Sequence, residues 1–417
     1  MRTVFASFLS SVIRSGHLEV ETADRVVRVF GDRTGPRIGI RINDSAAELE
    51  LMFNPTLALG ELYMDGRLEV THGDLYDLLA LAAENVRASD GPLWIKMVEE
   101  ARTALRRLHR RNDRRRARQN VAHHYDLDAR LYDLFLDSDR QYSCAYFEHK
   151  GDTLEQAQLA KKRHIAAKLL IREGHKVLDI GCGFGGMALY LAQVAGARTA
   201  GVTLSKEQLA IASQRARETG LEDKVAFRLQ DYRDANESYD RIVSVGMFEH
   251  VGLAHFDEFF SNVRRLLKDD GVMVLHAIGR SEMPGATNPW IEKYIFPGGY
   301  IAALSEVYAS IERSGLFVTD TEILRLHYAE TLKLWRQRFN ARRDEARALY
   351  DERFCRMWDF YLAGSETAFR IDGHMVFQIQ LTKRQDVVPL TRDYIIQTEA
   401  QLRQREHIRP AWREAGE

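Results

Sequence analysis

The sequence predicts an α/β fold with a doubly wound, mostly parallel sheet, preceded by a small α+β domain. Short apolar segments alternate with amphipathic segments between about residues 176 and 279, a pattern typical of a parallel sheet covered by helices on both faces. A glycine-rich turn joins the first of these strands to a helix. The chain has 417 residues, 45% of them hydrophobic and 29% charged, enough for two or three domains and a large core.

Residues 1–98 are interpreted as the small α+β domain. We predict strands at RVVRVFGD and AELELMF, and a helix at GDLYDLLALAAENV with Asp74 near its start. Apolar residues at helical spacing occupy positions 4–13, but Arg14 and His17 follow without a small-residue cleavage site, so we expect no signal peptide. No uncharged apolar run reaches the ~20 residues that cross a bilayer.

Residues 99–120 are interpreted as a basic linker. Nine arginines and a single acid, Asp113, lie between Arg102 and Arg118, although the net charge of the whole chain is −1. A solvated helix or tether is the simplest interpretation. A patch that binds anionic lipid headgroups is the second, since each basic residue near such a surface contributes ~1 kcal/mol. Nucleic-acid binding ranks last, because the run has no interleaved aromatic residues and no recognised module.

Residues 121–417 carry the alternating pattern. The predicted strands are HKVLDIG, RTAGVTL, KVAFRLQD, YDRIVSVGM and GVMVLHAIG, and the predicted helices include SKEQLAIASQRARETG and HFDEFFSNVRRLLKDDG. Ligands of such sheets bind beyond the carboxyl ends of the strands. Several of the candidate site residues below follow these strand ends.

The glycine-rich turn is the strongest local signal. Asp179 ends the first strand, and Gly181, Gly183 and Gly186 follow with the spacing G-x-G-x-x-G, which also occurs in dinucleotide sites. A dinucleotide site requires an acid at the end of the second strand, but that strand ends GVTLS. An acid before the first glycine instead resembles the first motif of class I methyltransferases.

Two further strand ends offer binding residues. Ser205 and Gln208 have the spacing of a helix capping box, and contact with a cofactor ribose is a compatible alternative. Asp231 and Tyr232 follow the third strand, where an adenine edge is usually bound; a plain loop is the alternative.

Several longer stretches together resemble the cyclopropane fatty acid synthase family. They run from about residue 120 to 384 and comprise NVAHHYD, LFLDSDRQYSCAYF, TLEQAQLAKK, VLDIGCGFGG, GVTLSKEQ, GMFEHVG, FPGGYI, HYAETLKLW and RMWDFYLAGSETAFR. Two positions depart from the family pattern: Phe184 replaces a frequent Trp, and GSETAFR replaces a segment that often carries a cysteine. The second departure bears on the acyl pocket and so on the product. The N-terminal domain resembles the family's lipid-binding domain more weakly.

The resemblance implies a Rossmann-like methyltransferase domain with a mostly parallel seven-stranded sheet and S-adenosylmethionine as cofactor. It also implies transfer of a methylene to the cis double bond of an unsaturated phospholipid acyl chain, forming a cyclopropane fatty acid. The expected cofactor-binding residues are Tyr142, Ser143, Asp179, Gly181, Gly183, Thr203, Leu204, Gln208, Asp231 and Tyr232. His123 and His124 match a turn that shapes the lid over the cofactor, and no metal is expected.

In this family a bound bicarbonate ion deprotonates the carbocation that precedes ring closure. Matched position by position, its binding residues are Cys144, Glu249, His276, the backbone of Ile278, and Tyr328. Backbone N–H, hydroxyl and imidazole groups can donate to an anion, and Glu249 can accept the bicarbonate proton. Each side chain also has a structural alternative: Cys144 as a small buried hydrophobe, His276 as a core histidine, and Tyr328 as a loop contact.

A carbocation requires a dry, apolar pocket, and aromatic faces stabilise it. Ordinary core packing is the alternative role for each aromatic candidate. The candidates are Tyr294, Phe296, Tyr300, Trp335, Trp358, Phe360, Tyr361 and Phe369.

The expected location is cytoplasmic, with peripheral association at an anionic membrane surface. Three sparse cysteines without metal-ligand spacing fit a reducing compartment. The family precedent allows a homodimer, and no nucleic-acid partner is expected. Two hypotheses compete with cyclopropane formation: a related fatty-acyl methyltransferase with a methyl-branched or methylene product, and a non-catalytic lipid-binding relative.

Overall fold

A computed structural model describes residues 2–88, 97, 101–103 and 127–408. Most of the predicted linker, including all its arginines except Arg102, lies outside these residues, as do His123 and His124. The predictions made for that segment, and the domain boundaries near residues 98 and 120, therefore stay predictions.

The strands comprise a first group in the N-terminal region and a second group that follows the glycine-rich turn. They are β1 His17–Glu21, β2 Val27–Phe30, β3 Arg37–Ile42, β4 Leu68–His72, β5 Lys176–Ile180, β6 Arg198–Thr203, β7 Val225–Leu229, β8 Tyr239–Val245, β9 Leu267–Arg280, β10 Ala302–Ala303, β11 Phe317–Ile323 and β12 His374–Thr382.

The helices are distributed along the whole described chain. They are α1 Arg2–Val12, α2 Ser45–Phe53, α3 Pro55–Met64, α4 Leu75–Ala88, α5 Ala129–Tyr132, α6 Leu154–Lys168, α7 Gly186–Gln193, α8 Lys206–Glu218, α9 Phe256–Leu266, α10 Pro289–Tyr294, α11 Leu304–Ser314, α12 His327–Ala341, α13 Arg343–Leu349, α14 Glu352–Arg370 and α15 Asp393–Ile408.

The chain divides into two compact units, each of which is built from three segments that are separated in the sequence. The first comprises Met1–Arg106, Gly285–Pro297 and Leu332–His374; the second comprises Arg107–Pro284, Gly298–Thr331 and Met375–Glu417. Two later segments thus join the N-terminal region, a feature of long-range packing that no local sequence pattern predicts.

The first unit contains a four-stranded sheet in the order β2-β1-β3-β4. β1 runs parallel to β3 and antiparallel to β2, and β3 and β4 are antiparallel. Its core joins one face of this sheet to helices: Phe5 and Leu9 of α1, Leu78 of α4 and Ala363 of α14 are all buried there. The α+β class predicted for this region is confirmed.

The predicted strand at AELELMF is wrong, because these residues form most of α2. The alternation of Glu and Leu suggested a strand, but the Asp44 side chain accepts a hydrogen bond from Ala47 N–H and caps a helix. Ala47 and Leu51, one helical turn apart, are buried. A local cap and good helix formers therefore decide this segment.

The second unit contains the predicted doubly wound sheet. Its strand order is β11-β12-β9-β8-β5-β6-β7, with the short β10 paired to β9. β5, β6, β7, β8 and β9 are joined by parallel pairings, whereas β11 and β12 are antiparallel. The mostly parallel seven-stranded sheet is thus confirmed, and the five predicted parallel strands lie where the sequence indicated.

Burial of the central strands explains their apolar sequences. Val177, Leu178, Ile242 and Val274 are fully buried, as expected for strands covered on both faces. The strand order changes direction between β5 and β8, and a crevice forms at the carboxyl ends of the strands there. Within the described ranges, no helix combines the length and apolar character that a membrane crossing requires.

Candidate active site

The glycine-rich turn leads from β5 into α7. Gly181 has φ +78°, and a Cβ built there would lie 2.6 Å from Met247 Cγ, so only glycine fits without displacing that side chain. Gly183 also has positive φ, but a Cβ there would meet no atom within 4 Å. The turn therefore packs closely on one side and borders open space on the other.

That open space is part of a cavity at the carboxyl ends of β5, β6 and β8. All ten residues predicted to bind the cofactor line it: Tyr142, Ser143, Asp179, Gly181, Gly183, Thr203, Leu204, Gln208, Asp231 and Tyr232. The structure thus brings the predicted set together, although the individual contacts with a cofactor stay predictions.

Asp179 is the acid at the end of β5. Its residue is 1% exposed, and its Oδ2 has no hydrogen-bond partner within the described part of the chain. Burial raises the pKa of this carboxyl to about 7, and the nearby Lys161 ammonium opposes that rise. A buried carboxylate oxygen without a partner is costly, so this side chain is suited to accept hydrogen bonds from a ligand in the cavity.

At the end of β6, where a dinucleotide site has an acid, this chain has hydroxyl and amide side chains. Thr203 Oγ1 donates to Gln208 Oε1 at 3.0 Å. Ser205 caps α8, because its Oγ accepts from Gln208 N–H at 3.3 Å. The capping role is therefore real, and Thr203 and Gln208 also line the cavity.

The end of β7 places Asp231 and Tyr232 at the same cavity. Asp231 is buried and pairs with Arg233 at 2.7 Å, while Tyr232 packs edge-on against Phe259 with ring centroids 5.4 Å apart. The Arg233 pair anchors the backbone of this loop, so that Tyr232 has a fixed position on the wall.

These features fit S-adenosylmethionine. The cofactor carries an ammonium group that can donate to the unsatisfied Asp179 Oδ2, a sulfonium centre, and an adenosine that requires both polar and apolar wall residues. The cavity offers polar residues at its β5 and β6 ends and Met187, Val202 and Val251 elsewhere.

Glu249 and Ile278 are in direct contact. Ile278 N–H donates to Glu249 Oε1 at 2.6 Å, whereas Glu249 Oε2 is buried without a partner among the described residues. Burial raises the pKa of Glu249 to about 7. A carboxyl with this pKa can hold or release a proton near neutral pH, which fits the predicted role beside bicarbonate.

His276 lies on β9, two residues before Ile278. Its side chain is buried, and the Gln378 amide donates to its Nδ1 at 3.2 Å. Burial first, and then the charges of Lys161 and Lys168, lower the pKa of His276. The ring is therefore neutral with its proton on Nε2, a form that can donate one hydrogen bond.

Hydrogen bonds between neighbouring residues join the segment of Cys144 to the segment of Tyr328. Ala145 N–H donates to Thr331 Oγ1 at 3.1 Å, and Phe147 N–H donates to His327 Nδ1 at 3.0 Å. Cys144 itself is buried, and burial raises the pKa of its thiol. It is a neutral S–H group, and its convergence with Tyr328, Glu249 and His276 on one anion stays a prediction.

A contact with β8 relates the Cys144 segment to the β9 residues. A Cβ built on Gly246 would lie 3.7 Å from Ser143 Cβ, and Gly246 N–H donates to the His276 carbonyl at 2.9 Å. Ser143 lines the cavity, and Cys144 is the next residue. Cys144 therefore directly follows one residue of the cavity wall, and the His276 backbone is hydrogen-bonded to another.

Sequence reasoning missed several wall residues. Gln141, Gln230, Met247 and His250 also line the cavity. Gln141 lies in the quoted motif LFLDSDRQYSCAYF, and Met247 and His250 lie in GMFEHVG. These motifs were the available signal, but no role was assigned to the three residues. Burial lowers the pKa of His250 to about 4.

The eight aromatic candidates do not form one group. Tyr300 belongs to the second unit, where its hydroxyl donates to Glu306 Oε2 at 2.6 Å. The other seven belong to the first unit, and several of them pack on each other, as Phe296 and Tyr361 do with centroids 5.8 Å apart. Their contact with an acyl chain stays a prediction.

Comparison with known families gives two matches. The family described as mycolic acid cyclopropane synthetase matches residues 112–379. A family described only as a domain of unknown function matches residues 4–89.

Similar proteins agree with the first match. The cyclopropane-fatty-acyl-phospholipid synthase of Escherichia coli strain K12 is 39% identical over 83% of this chain and 91% of its own. A probable fatty acid methyltransferase of Pseudomonas putida is 37% identical over 83% of this chain and 88% of its own.

Two solved structures agree as well. The cyclopropane synthase MmaA2 of Mycobacterium tuberculosis has a TM-score of 0.61 and 33% identity, covering 63% of this chain and 97% of its own. The mycolic acid cyclopropane synthase CmaA1 complexed with SAH and CTAB has a TM-score of 0.60 and 35% identity, with the same coverage.

Proposed function

Because the chain belongs to the mycolic acid cyclopropane synthetase family and is an S-adenosylmethionine-dependent methyltransferase, we propose that it forms cyclopropane fatty acids on phospholipids. The acceptor is the cis double bond of an unsaturated acyl chain. The net reaction adds CH₂ across that bond and releases one proton. The unsatisfied Glu249 Oε2 beside the cavity is the observation that carries this proposal.

The cofactor-binding part of the site has a defined division of roles. S-adenosylmethionine, when bound, supplies an electrophilic methyl group and leaves as S-adenosylhomocysteine. Asp179 accepts from its ammonium group, and Gly183 allows the backbone to approach it closely. Thr203, Gln208 and Tyr232 bind the ribose and adenine, in keeping with their places on the cavity wall.

The proton released on ring closure requires a base. The residues fit a bicarbonate ion, which when bound supplies that base: Glu249 accepts its proton, and neutral His276 donates one hydrogen bond to it. Cys144 and Tyr328 complete the set as S–H and O–H donors. The Ile278 N–H is held by Glu249 in this structure, so in this chain Ile278 orients Glu249.

Two observations support a carbocation reaction on a lipid substrate. Fully buried side chains surround the β8 and β9 end of the site, among them Phe248, Phe256 and Phe260, and a dry environment protects a carbocation from water. The E. coli relative is named as acting on fatty-acyl phospholipid. Access then occurs by peripheral binding to an anionic membrane surface from the cytoplasm, with the arginine-rich segment as the electrostatic contact.

A methyl-branched or methylene product is the second candidate. The P. putida relative, named a probable fatty acid methyltransferase, is similar over an equal share of this chain. Both routes require the same cofactor cavity and a base, so these residues do not separate them. A non-catalytic lipid-binding role is disfavoured, because it gives no reason for unsatisfied buried carboxyl oxygens at both Asp179 and Glu249.

Mass spectrometry of the lipid product tests the proposal. The protein is incubated with S-adenosylmethionine and vesicles of an unsaturated phospholipid, with a fully saturated phospholipid as the matched control. We expect a gain of one CH₂, loss of the double bond, and resistance to hydrogenation. A CH₂ gain that retains a double bond supports the second candidate, and no gain with cofactor binding intact contradicts both.

A further inference from the structure

Helix α6 buries an unusual set of basic side chains. Lys161, Lys162, Arg163, His164 and Lys168 are each 5% exposed or less. Such groups are almost never buried unless they are paired. Four of them have carboxylate partners: Lys162 contacts Asp139, Arg163 contacts Glu148 and Glu406, His164 contacts Glu322 and Glu399, and Lys168 contacts Glu322.

Lys161 differs from these four. Its ammonium donates to Gln141 Oε1 at 2.6 Å and to Ser143 Oγ at 2.8 Å, both neutral oxygens. Within the described residues it has no ion pair. A fully buried ammonium with two neutral acceptors still has one proton and a full charge to satisfy.

The two acceptors belong to the wall of the cofactor cavity. Gln141 and Ser143 both line it, and Gln158, also on α6, donates to the Ser143 carbonyl at 2.9 Å. Because Ser143 Oγ accepts from Lys161, the hydroxyl proton must point to another acceptor. The Gln141 amide group already donates to Asp139 at 2.9 Å. Ser143 is therefore the donor that Lys161 orients toward the cavity.

The surrounding charges do not neutralise this site. Desolvation lowers the pKa of Lys161 to about 8; Asp137 and Asp139 oppose this, Lys162 adds to it, and Cys144 opposes it weakly. In turn the Lys161 charge partly offsets the rise that burial causes in the pKa of Asp179 on β5, and it adds to the lowering that burial causes in the pKa of His276 on β9. Asp139 is shared with Lys162 and Arg215, so its charge is already matched.

We propose that Lys161 is a positioning residue that, through Ser143, forms the positive back wall of a subsite for a carboxylate-type anion. Two sources share this chemistry: the α-carboxylate of the bound nucleoside and bicarbonate. The inference rests on the proposed function and adds to it the charge that holds the anion. Lys161 does not line the cavity itself and acts through the Ser143 hydroxyl.

Binding of defined probes to the full-length protein separates the two sources. The variants are Lys161→Met and, as a matched control on the same helix, Lys168→Met. The probes are S-adenosylhomocysteine, its decarboxylated analogue S-adenosyl-3-thiopropylamine, and carbon-13-labelled bicarbonate followed by NMR. Loss of one charge-assisted hydrogen bond lowers affinity roughly tenfold to a hundredfold.

A selective loss supports the proposal. If Lys161→Met weakens S-adenosylhomocysteine at least tenfold and leaves the decarboxylated analogue unchanged, the anion is the nucleoside carboxylate. If only bicarbonate binding weakens, the anion is bicarbonate. Unchanged binding of all three, or equal loss for the two nucleosides, overturns the proposal. Lys168→Met is expected to lower thermal stability without changing any of the three affinities.

A second variant tests the route through the serine. Ser143→Ala removes only the hydroxyl, so it remains informative if Lys161→Met does not fold. We expect the same selective loss, and in the double variant no further loss, because the two side chains act as one unit. A Ser143→Ala protein that binds all three probes like the wild type overturns the proposal.

The pH dependence of affinity, compared between the wild type and Lys161→Met, provides a readout that a purely structural lysine would not change. Asp179 and Glu249, whose pKa values are about 7, titrate in both proteins, so the ratio of the two affinities isolates Lys161. For a pKa of about 8, the ratio of wild-type to variant affinity for the selected anion falls by up to about fourfold between pH 7.0 and pH 8.5. A ratio that does not change with pH overturns the proposal. These outcomes are separate from the proposed function: lipid conversion by the wild type tests that function and does not depend on which group holds the anion.

Discussion

Glu249→Gln is the substitution that examines the proposed chemistry most selectively. The amide keeps an oxygen that can accept from Ile278 N–H, which lies 2.6 Å from Glu249 Oε1. It loses the ability to exchange a proton. We therefore expect turnover to fall roughly 10²- to 10⁴-fold, the usual contribution of a positioned acid–base group, while affinity for S-adenosylhomocysteine changes less than threefold.

The same substitution has a stability effect with a definite sign. Burial raises the pKa of Glu249 from 4.5 to about 7, so the folded protein binds more protons than the unfolded chain between these values. Stability therefore decreases as pH rises through this window, by about 3 kcal/mol in full. The Gln variant lacks this loss. We therefore expect the free energy of unfolding of the variant, minus that of the wild type, to be larger at pH 8 than at pH 5.

Three measurements on one pair of proteins check these expectations. They are product formation, calorimetric titration with S-adenosylhomocysteine, and chemical unfolding at pH 5 and pH 8. Equal losses of turnover and of cofactor affinity would refute the assignment of Glu249. An identical stability difference at both pH values would refute the claim that burial raises the pKa of its carboxyl.

Three other expectations concern the cofactor cavity and the membrane. Asp179→Asn should weaken S-adenosylhomocysteine roughly tenfold to a hundredfold in calorimetry, whereas Asp257→Asn, which changes an exposed pair with Arg313, should leave it unchanged; equal affinities for both variants would contradict the role of Asp179. Gly181→Ala places a Cβ 2.6 Å from Met247 Cγ at φ +78°, so it should destabilise the protein by about 1–3 kcal/mol in chemical unfolding, and an unchanged midpoint would show that the turn relaxes freely. Binding to anionic vesicles in a sedimentation assay should weaken as salt rises from 0.1 to 1 M, because the Debye length shrinks from about 10 to about 3 Å; indifference to salt would remove the arginine-rich segment from membrane binding.

The parallel core was predictable because local sequence reports it. Each of the five parallel strands is a mostly apolar run followed by turn residues, and β5 ends at the acid and glycines that border the cavity. The ends of β5, β6 and β7 carry eight of the ten predicted cavity residues, because the carboxyl ends of parallel strands meet at one edge of the sheet. Tyr142 and Ser143 lie outside these strand ends and were predicted from the family resemblance.

The remaining features of the fold and site were not predictable, because they depend on long-range packing or on local signals that compete with each other. Residues 47–53 alternate like a strand, yet the Asp44 cap makes them helical. The segments 285–297 and 332–374 join the first unit through contacts that no local pattern encodes. Lys161 would be expected at the surface on composition alone, and only the structure reveals it buried against Gln141 and Ser143.

The most direct test of the central claim follows the transferred carbon itself. The protein is given S-adenosylmethionine labelled with carbon-13 at the methyl group, together with vesicles of a monounsaturated phospholipid, and the extracted lipid is examined by NMR. We predict that the label appears as the CH₂ of a three-membered ring. A label found as CH₃ on a saturated chain or as an exocyclic =CH₂ would contradict cyclopropane formation.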